Sequence, residues 1–359
     1  MYEHKTFESL LEQMLDYIRN DVDKREGSLV YSSSAAAAVI FAQLYADLTI
    51  NDRLSFADTS SGEYLSRRTA EHGVNRYGAS KARRKGLFFN NEGKPVDVPI
   101  GTRFSIGDLN YIVLSRIEKG QYALECEVTG VVGNEQFGTL LPIDYVEGLS
   151  RAELADVLIP GEDEEDDEAL RLRFFEAVNE KPFGGNIADY KQKINAIAGV
   201  GGVKVFPTWR GGGTVKCTII ASDFSPPSPE LVDEVQTIMD PEVNQGKGLG
   251  LAPVGHHVTI MGAKDVTVNV ETTVILAAGT TIGQVQDDIE NAVSLYFSML
   301  RRTWKDEDNI TVRMAQIDAR ILTVPGVVDV KDTKLNGVSE NIDLDAEEIP
   351  TQGQVVING

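Results

Sequence analysis

The chain has 359 residues, more than one hydrophobic core usually supports, so we expect two to four domains. Hydrophobic residues make up 42% and charged residues 25%, which is the balance of an ordinary globular protein. With 34 basic and 55 acidic residues the formal net charge is −21, and this charge disfavours nucleic acid and anionic membrane surfaces as partners.

The sequence also bears on location and redox chemistry. The apolar stretch from Ala35 to Leu48 is interrupted by Gln43 and Asp47 and is shorter than the roughly 20 residues of a membrane span, so we expect no span. The first residues lack the pattern of a secretory signal, which predicts synthesis in a cytoplasm. Cys126 and Cys217 lie at apolar positions of alternating segments and are expected to be reduced core residues.

Residues 1–80 show helical periodicity and form our first expected domain. Thr6 is placed to cap a first helix, a longer helix is expected from about Ser28 to Phe56, and a third from Glu63 to Glu71. Apolar residues cover nearly every side of the long helix around its middle, so we expect part of its surface to contact another chain. The residues expected at this assembly interface are Ile40, Phe41, Leu44, Tyr45 and Leu48.

Residues 81–155 alternate in hydrophobicity between turn signals and predict a small β domain. The expected strands are Leu87 to Phe89, Val96 to Ile106, Tyr111 to Ile117 and Tyr122 to Val128.

The remaining residues predict two modules, at 156–265 and 266–359. The acidic run Glu162 to Glu168 leads into a helix, where carboxylates complement the helix dipole and Asp167 can pair with Arg171. Two later segments share one pattern of a capped helix, a turn with Gly-Val and strands. The four helix caps that we expect here are Asn186, Ser228, Thr281 and Thr311. The predicted fold class is therefore α+β: an N-terminal helical bundle segment, a small β domain, then two α/β sandwich-like modules.

Signatures of catalysis or cofactor binding are weak, and we expect no cofactor and no metal. His256 and His257 are adjacent, and in a strand their side chains would point to opposite faces. The glycine-rich segments Gly211 to Thr214 and Gly246 to Gly250 do not fit a phosphate-binding loop and are expected to be turns. The acidic run lacks the alternating ligands and central glycine of a calcium loop.

One basic concentration interrupts the acidic chain. It extends from Arg67 and Arg68 through Arg76 to Lys81 and the Arg83 to Lys85 triplet. Such a stretch could dock an acidic partner surface or form a solvated face, and the sequence leaves both readings open.

The order of these segments resembles the baseplate J-like family, the wedge proteins of contractile phage tails and related phage-tail-like particles. The resemblance spans nearly the whole chain and consists mainly of glycine-rich turns and helix caps. The segments that carry it are Gly73 to Arg76, Ile100 to Phe104, Gly130 to Asn134, Gly161 to Arg173, Gly185 with Asp189 and Tyr190, Gly199 with Val200, Val205 to Trp209, Gly213 to Val215, Val324 to Val327, Asn341 with Ile342 and Glu348 to Pro350.

This resemblance implies a structural role without chemistry. It implies paired copies in each wedge, sixfold repetition around the tail tube and a ring that changes diameter when the sheath contracts. The partners would be other copies of the chain and neighbouring baseplate wedge and tail proteins, without a small-molecule substrate. The protein would reside in the baseplate of a virion or phage-tail-like particle such as a bacteriocin, after assembly in the host bacterial cytoplasm.

Two alternatives belong to other classes of function. A tail-associated cell-wall hydrolase would use a pair among the 55 acidic residues, but the sequence singles out no such pair. A receptor-binding tail protein would show trimeric β-repeats, and none are visible. We therefore expect a non-enzymatic assembly subunit.

Overall fold

The computed structural model describes residues 2–179 and 183–359. The chain forms two compact units, and each is built from two stretches of sequence. The first, which we call the helical unit, comprises Met1–Tyr77 and Glu165–Glu180. The second, the β-rich unit, comprises Gly78–Glu164 and Lys181–Gly359.

Helices and strands are both abundant, which confirms the α+β class. The helices are α1 Phe7–Tyr17, α2 Leu29–Leu54, α3 Gly62–Ala70, α4 Val132–Glu135, α5 Asp167–Asn179, α6 Ile187–Asn195, α7 Pro229–Met239, α8 Ile282–Thr303 and α9 Met314–Ile321. The strands are β1 Lys81–Phe89, β2 Arg103–Ile106, β3 Leu109–Glu118, β4 Gln121–Thr129, β5 Gly138–Pro142, β6 Arg151–Ile159, β7 Val200–Pro207, β8 Thr214–Ala221, β9 His257–Gly262, β10 Lys264–Leu276, β11 Thr311–Val312, β12 Val327–Leu335, β13 Ile342–Asp343 and β14 Glu348–Asn358.

The helical unit contains two small hydrophobic cores. Helix α1 begins after Thr6, whose Oγ1 accepts a hydrogen bond from the Ser9 N–H at 3.3 Å, as predicted. It packs against α2, and Leu10, Leu11 and Ala38 are buried between them.

The second core of the helical unit joins distant parts of the sequence, because α3 packs against α5 about a hundred residues further along the chain. Leu170 and Phe174 of α5 are buried, whereas Val178, which follows at the same spacing of four, is exposed. The buried residues of this core are Ala57, Leu65, Val74, Leu170 and Phe174.

A closed antiparallel barrel begins the β-rich unit, with strand order β1-β4-β3-β2-β5-β6. The predicted strand from Val96 to Ile106 is wrong in its first part, because the Thr102 N–H donates to the Pro99 carbonyl in a turn at 3.2 Å and the strand begins at Arg103. Strands β5 and β6 were not predicted. The core of the barrel includes Phe88, Phe104 and Leu124.

The sheet of the central region has the order β7-β8-β9 and carries α6 and α7. Asn186 caps α6 and Ser228 caps α7, as predicted: their side-chain oxygens accept hydrogen bonds from the Asp189 and Leu231 N–H groups at 2.8 and 3.2 Å. Cys217 is buried in this core.

The C-terminal sheet has the order β12-β10-β14, with α8 and α9 packed against it. The Thr281 N–H donates to Gln284 Oε1 at 2.9 Å, which confirms the predicted cap of α8. The predicted cap at Thr311 is wrong: Thr311 lies in β11 and donates its hydroxyl to Asp343 Oδ1 at 2.7 Å. Helix α9 begins at Met314 instead. The expected division into domains at 1–80, 81–155, 156–265 and 266–359 stays a prediction.

Candidate assembly surface

One face of α2 is covered by α1. The covered residues recur at spacings of four and three, which place them on one side of a helix. Ala38, at the centre of this row, is fully buried, and the shorter α1 lies over it. The members of the row are Tyr31, Ala35, Ala38, Ala42 and Tyr45.

The other faces of α2 expose large apolar side chains. Phe41, Leu44 and Leu48 follow at spacings of three and four and form a second row beside the covered one. Leu44 is 51% exposed, and Ile40, one turn before it, is 65% exposed. We call the surface formed by these four residues the open face of α2.

Tyr45 does not belong to the open face, although the sequence analysis placed it at the interface. It is partly buried against α1, and its ring lies 5.5 Å from the Tyr2 ring and 5.9 Å from Lys5 Nζ. Helical periodicity places Tyr45 one turn from Ala42 and two turns from Ala38, but the sequence could not show which row α1 would cover. Leu29, Val39 and Ile50 are further exposed apolar residues of α2 that the predicted interface left out.

Helix α2 is also long and apolar enough to cross a membrane by length and composition, and little of it is buried. The apolar stretch from Ala35 to Leu48 is shorter than the 26-residue helix that contains it. Core helices of soluble proteins and signal sequences meet the same criterion. The expected absence of a membrane contact stays a prediction.

A cluster of ion pairs holds α5 in the helical unit. The Arg76 guanidinium pairs with Asp167, and that of Arg173 pairs with Glu165 at 2.6 Å. Hydrogen bonds from the Gly62 N–H and from Arg76 lower the pKa of the Asp167 carboxyl. The predicted pair of Asp167 with Arg171 is wrong, because Arg171 instead pairs with Glu168.

The basic stretch that was considered for docking is largely neutralised within its own units. Lys81 pairs with Glu125 at 3.3 Å and Arg83 with Glu234 at 2.8 Å. Arg84 is fully buried in the barrel. Its guanidinium donates to the carbonyl groups of Gly133, Gln136 and Ala155 at 2.7–2.9 Å. These contacts do not favour the docking interpretation.

The residues considered for metal or nucleophile chemistry are placed in structural roles. His256 stacks on Tyr190, and the Tyr190 hydroxyl lies 2.8 Å from His256 Nδ1. Burial raises the pKa of the Cys217 thiol to about 12, so it is protonated at neutral pH. Within residues 2–179 and 183–359, no group of three or more His, Cys, Asp or Glu side chains is arranged to hold a metal ion. Residues 211–213 form the hairpin turn between β7 and β8, as predicted.

Comparison with known proteins gives matches along the whole chain. The family model of the baseplate J-like central domain matches residues 182–262, and that of the baseplate J-like protein C-terminal domain matches residues 268–358. The uncharacterized protein YqbT of Bacillus subtilis (strain 168) is 40% identical over 99% of both chains. The phage-like element PBSX protein XkdT of the same organism is 37% identical, again over 99% of both. Baseplate protein gp47 of Escherichia phage Mu is 29% identical over 56% of this chain and 58% of that protein.

Proposed function

The chain belongs to the baseplate J-like family, and from that premise we propose that it is a structural wedge subunit in the baseplate of a contractile tail. The particle is a phage or a phage-tail-like bacteriocin. In this proposal the subunit links wedges into a ring around the tube and transmits the rearrangement that triggers sheath contraction. Its partners are other copies of itself and neighbouring wedge and tail proteins, and it has no catalytic role.

The observation that carries the proposal is the open face of α2. Large apolar side chains on a helix of a soluble protein are normally buried, and a contiguous exposed set marks a contact surface. The spacing of Phe41, Leu44 and Leu48 suits a second helix packed alongside, since side chains three and four residues apart form one row. Helix α1 already covers the neighbouring row.

A protein partner fits this face better than lipid does. Gln43 and Asp47 lie within the exposed length of α2. A charged residue such as Asp costs roughly 2.5–3.5 kcal/mol at the centre of a bilayer, whereas it can stay hydrated at the rim of a protein interface.

Complementation tests the proposed role of α2. We expect Leu44→Asp, supplied to a host that lacks its own copy, to reduce assembled baseplates at least tenfold by electron microscopy, because a carboxylate cannot be buried unpaired in an apolar contact. Free tubes and unassembled components should accumulate.

The control is Leu295→Asp on α8, another long helix, where the leucine is 66% exposed. It should assemble normally. Normal assembly by Leu44→Asp, with the variant chain present in the particle, would show that the open face is not an interface.

Absence of catalysis is tested separately by zymography of the purified chain on peptidoglycan. We expect no cleared band. A band that disappears when a single carboxylate is replaced would assign a hydrolase function and contradict the proposal.

A further inference from the structure

Three loops meet at one end of the central sheet. They are the β7–β8 hairpin tip at 208–213, the loop at 241–256 between α7 and β9, and the segment at 183–186 before α6. The His257 N–H donates to the Gly213 carbonyl at 2.7 Å and joins the first two loops. Gly185 lies so close to Pro253 that a Cβ would sit 2.6 Å from its ring, which places the third segment beside them. We call this surface the loop end.

The loop end exposes large apolar side chains from two of its three loops. Val243 is 92% exposed, Leu249 67% and Val254 79%, and all three belong to the loop at 241–256. Phe183, from the neighbouring segment, is 83% exposed. Exposed apolar residues that occur singly need no explanation, but a concentration of them on adjoining loops marks an interaction site.

The hairpin tip adds residue types that are common at the centres of protein interfaces. The Arg210 guanidinium carbon lies 4.1 Å from the centroid of the Trp209 ring, so the two side chains present one stacked surface. Tryptophan and arginine are enriched among the residues that contribute most to binding.

Buried polar side chains hold the loop at 241–256 in one conformation. Asp240 is almost completely buried, and its carboxylate accepts hydrogen bonds from the Gly246 and Val258 N–H groups at 2.9 Å. Gln236, also buried, accepts from the Ile260 N–H at 2.8 Å and donates to the Val258 carbonyl at 3.0 Å. Asp240 and Gln236 thereby satisfy the hydrogen bonding of main-chain N–H and carbonyl groups at the edge of β9. A loop that is already ordered loses little entropy when it binds.

The charge at the loop end differs from that of the chain as a whole. Its three loops carry two cations, Arg210 and Lys247, and one anion, Glu242, although the net charge of the chain is −21. At physiological ionic strength exposed charges act over about 8 Å, so an approaching surface responds to these local charges. The loop end therefore favours an acidic partner surface.

We propose that the loop end docks an acidic surface with an apolar depression on a neighbouring subunit of the particle other than this chain. Isologous pairing of two loop ends would bring Arg210 and Lys247 against their own counterparts, and this like-charge contact argues against a second copy. The inference rests on the proposed baseplate function but concerns a surface distinct from α2.

The test places a photo-crosslinking amino acid at Leu249 of the full chain in assembled particles. We expect a cross-link to a different tail protein, within a segment rich in Asp and Glu. Leu249→Asp should reduce the number of assembled baseplates at least tenfold. Arg210→Glu should also reduce this number, and the reduction should be larger at low salt than at high salt. The matched control is Val328→Asp, an exposed apolar position on β12.

Each outcome is decisive. A cross-link to another copy of this chain, a cross-link to a basic segment, or no cross-link from particles that contain the chain overturns the proposal, as does normal assembly by Leu249→Asp. Absence of the wild-type chain from purified particles would instead contradict the proposed baseplate function itself. Leu249→Met keeps the apolar contact and should assemble normally, which separates loss of docking from general sensitivity of the loop.

Discussion

A single buried carboxylate, Asp240, determines the structure of a long loop. Its two oxygens accept the N–H groups of Gly246 and Val258, which would otherwise be buried without a partner or pair with another strand. This role could not be predicted from the sequence, because Asp240 directly follows a helix and resembles an ordinary exposed acid. Burial and three accepted hydrogen bonds distinguish it.

Asp240→Ala should therefore destabilise the β-rich unit. Two main-chain N–H groups lose their acceptor, and each buried unsatisfied group costs about 1–3 kcal/mol. Chemical denaturation followed by tryptophan fluorescence measures the change in the free energy of unfolding. Glu242→Ala, two residues away and exposed, should leave it within about 0.5 kcal/mol. Equal losses in the two variants would show that Asp240 has no special role.

Ala38 illustrates a constraint of size at the residue scale. It is fully buried against residues of α1, so a larger side chain has no room. Ala38→Leu should cost about 1–3 kcal/mol and loosen α1, which hydrogen exchange would detect as faster exchange of the α1 amides. Ala46→Leu, on an exposed side of the same helix, is the control and should leave those amides protected. Unchanged exchange in Ala38→Leu would contradict the packing described.

At the scale of elements, contacts around Glu347 join the central and C-terminal sheets. Its carboxylate accepts hydrogen bonds from Lys216 Nζ and from Thr218 Oγ1, both on β8. Nearby, Lys204 Nζ lies 4.7 Å from the Trp304 ring and donates to the Asp308 and Ala346 carbonyls at 3.1 and 2.9 Å. Side chains of β7 and β8 thus reach the segments that surround the C-terminal core.

The Glu347 contact should depend on pH. Burial acts to raise the pKa of this carboxyl, but the hydrogen bonds from Lys216 and Thr218 outweigh burial and lower it below 4.5. A lowered pKa in the folded state stabilises the protein above the unfolded value, and this contribution is lost as the pH falls through the folded value. Glu347→Gln should thus be less stable than the wild type at pH 7, by about 0.5–1 kcal/mol, and the difference should shrink as the pH falls below the ordinary pKa of a glutamate. Urea unfolding across this range measures it, and a difference independent of pH would contradict the assignment.

The elements that could be predicted from sequence are those fixed by nearby residues. Thr6, Asn186 and Ser228 cap helices because the side chain and the N–H that it accepts are three residues apart. Thr311 has the same residue type, but its neighbour Val312 pairs with Ile342 in a two-stranded ladder, and a partner thirty residues away leaves no local pattern. Strands β5 and β6 were missed for the same reason, since their pairing with each other and with β1 and β2 closes a barrel.

The candidate surfaces follow the same division. The exposure of Ile40, Phe41, Leu44 and Leu48 could be anticipated, because the apolar surface of the long helix is larger than the surface that the shorter first helix can cover. The packing of Tyr45 against α1 could not be anticipated, because the sequence does not identify the covered side of α2. The loop end could not be found in the sequence, where its glycine-rich loops predict turns and nothing indicates that they adjoin.

At the scale of the whole molecule, the two compact units should respond separately to one change. Asp167→Asn removes the charge that pairs with Arg76, so α3 and α5 should lose protection in hydrogen exchange while the barrel strands keep theirs. The pKa of Asp167 is lowered in the folded state, and the wild-type helical unit should lose the same protection as the pH falls below about 4.

The control variant is Asp166→Asn, in which α3 and α5 should keep their protection in hydrogen exchange at neutral pH. The Asp166 carboxylate accepts from the Ala169 N–H at the start of the same helix, at 2.8 Å, and asparagine keeps an acceptor there. Simultaneous loss of protection in the barrel and in α5 of Asp167→Asn would mean that the chain unfolds as one cooperative body.

The assembly of the α3–α5 core from distant sequence has a consequence for protein synthesis. When Leu65 and Val74 leave the ribosome, the residues that will cover them, Leu170 and Phe174, are still about a hundred codons away. At 5–20 residues per second that interval lasts roughly 5–20 s, during which every strand of the barrel is translated. The barrel can therefore fold first. Until α5 has been synthesised, the helical unit that contains α2 is incomplete, and this is when a chaperone or an early partner has its best opportunity to bind α2.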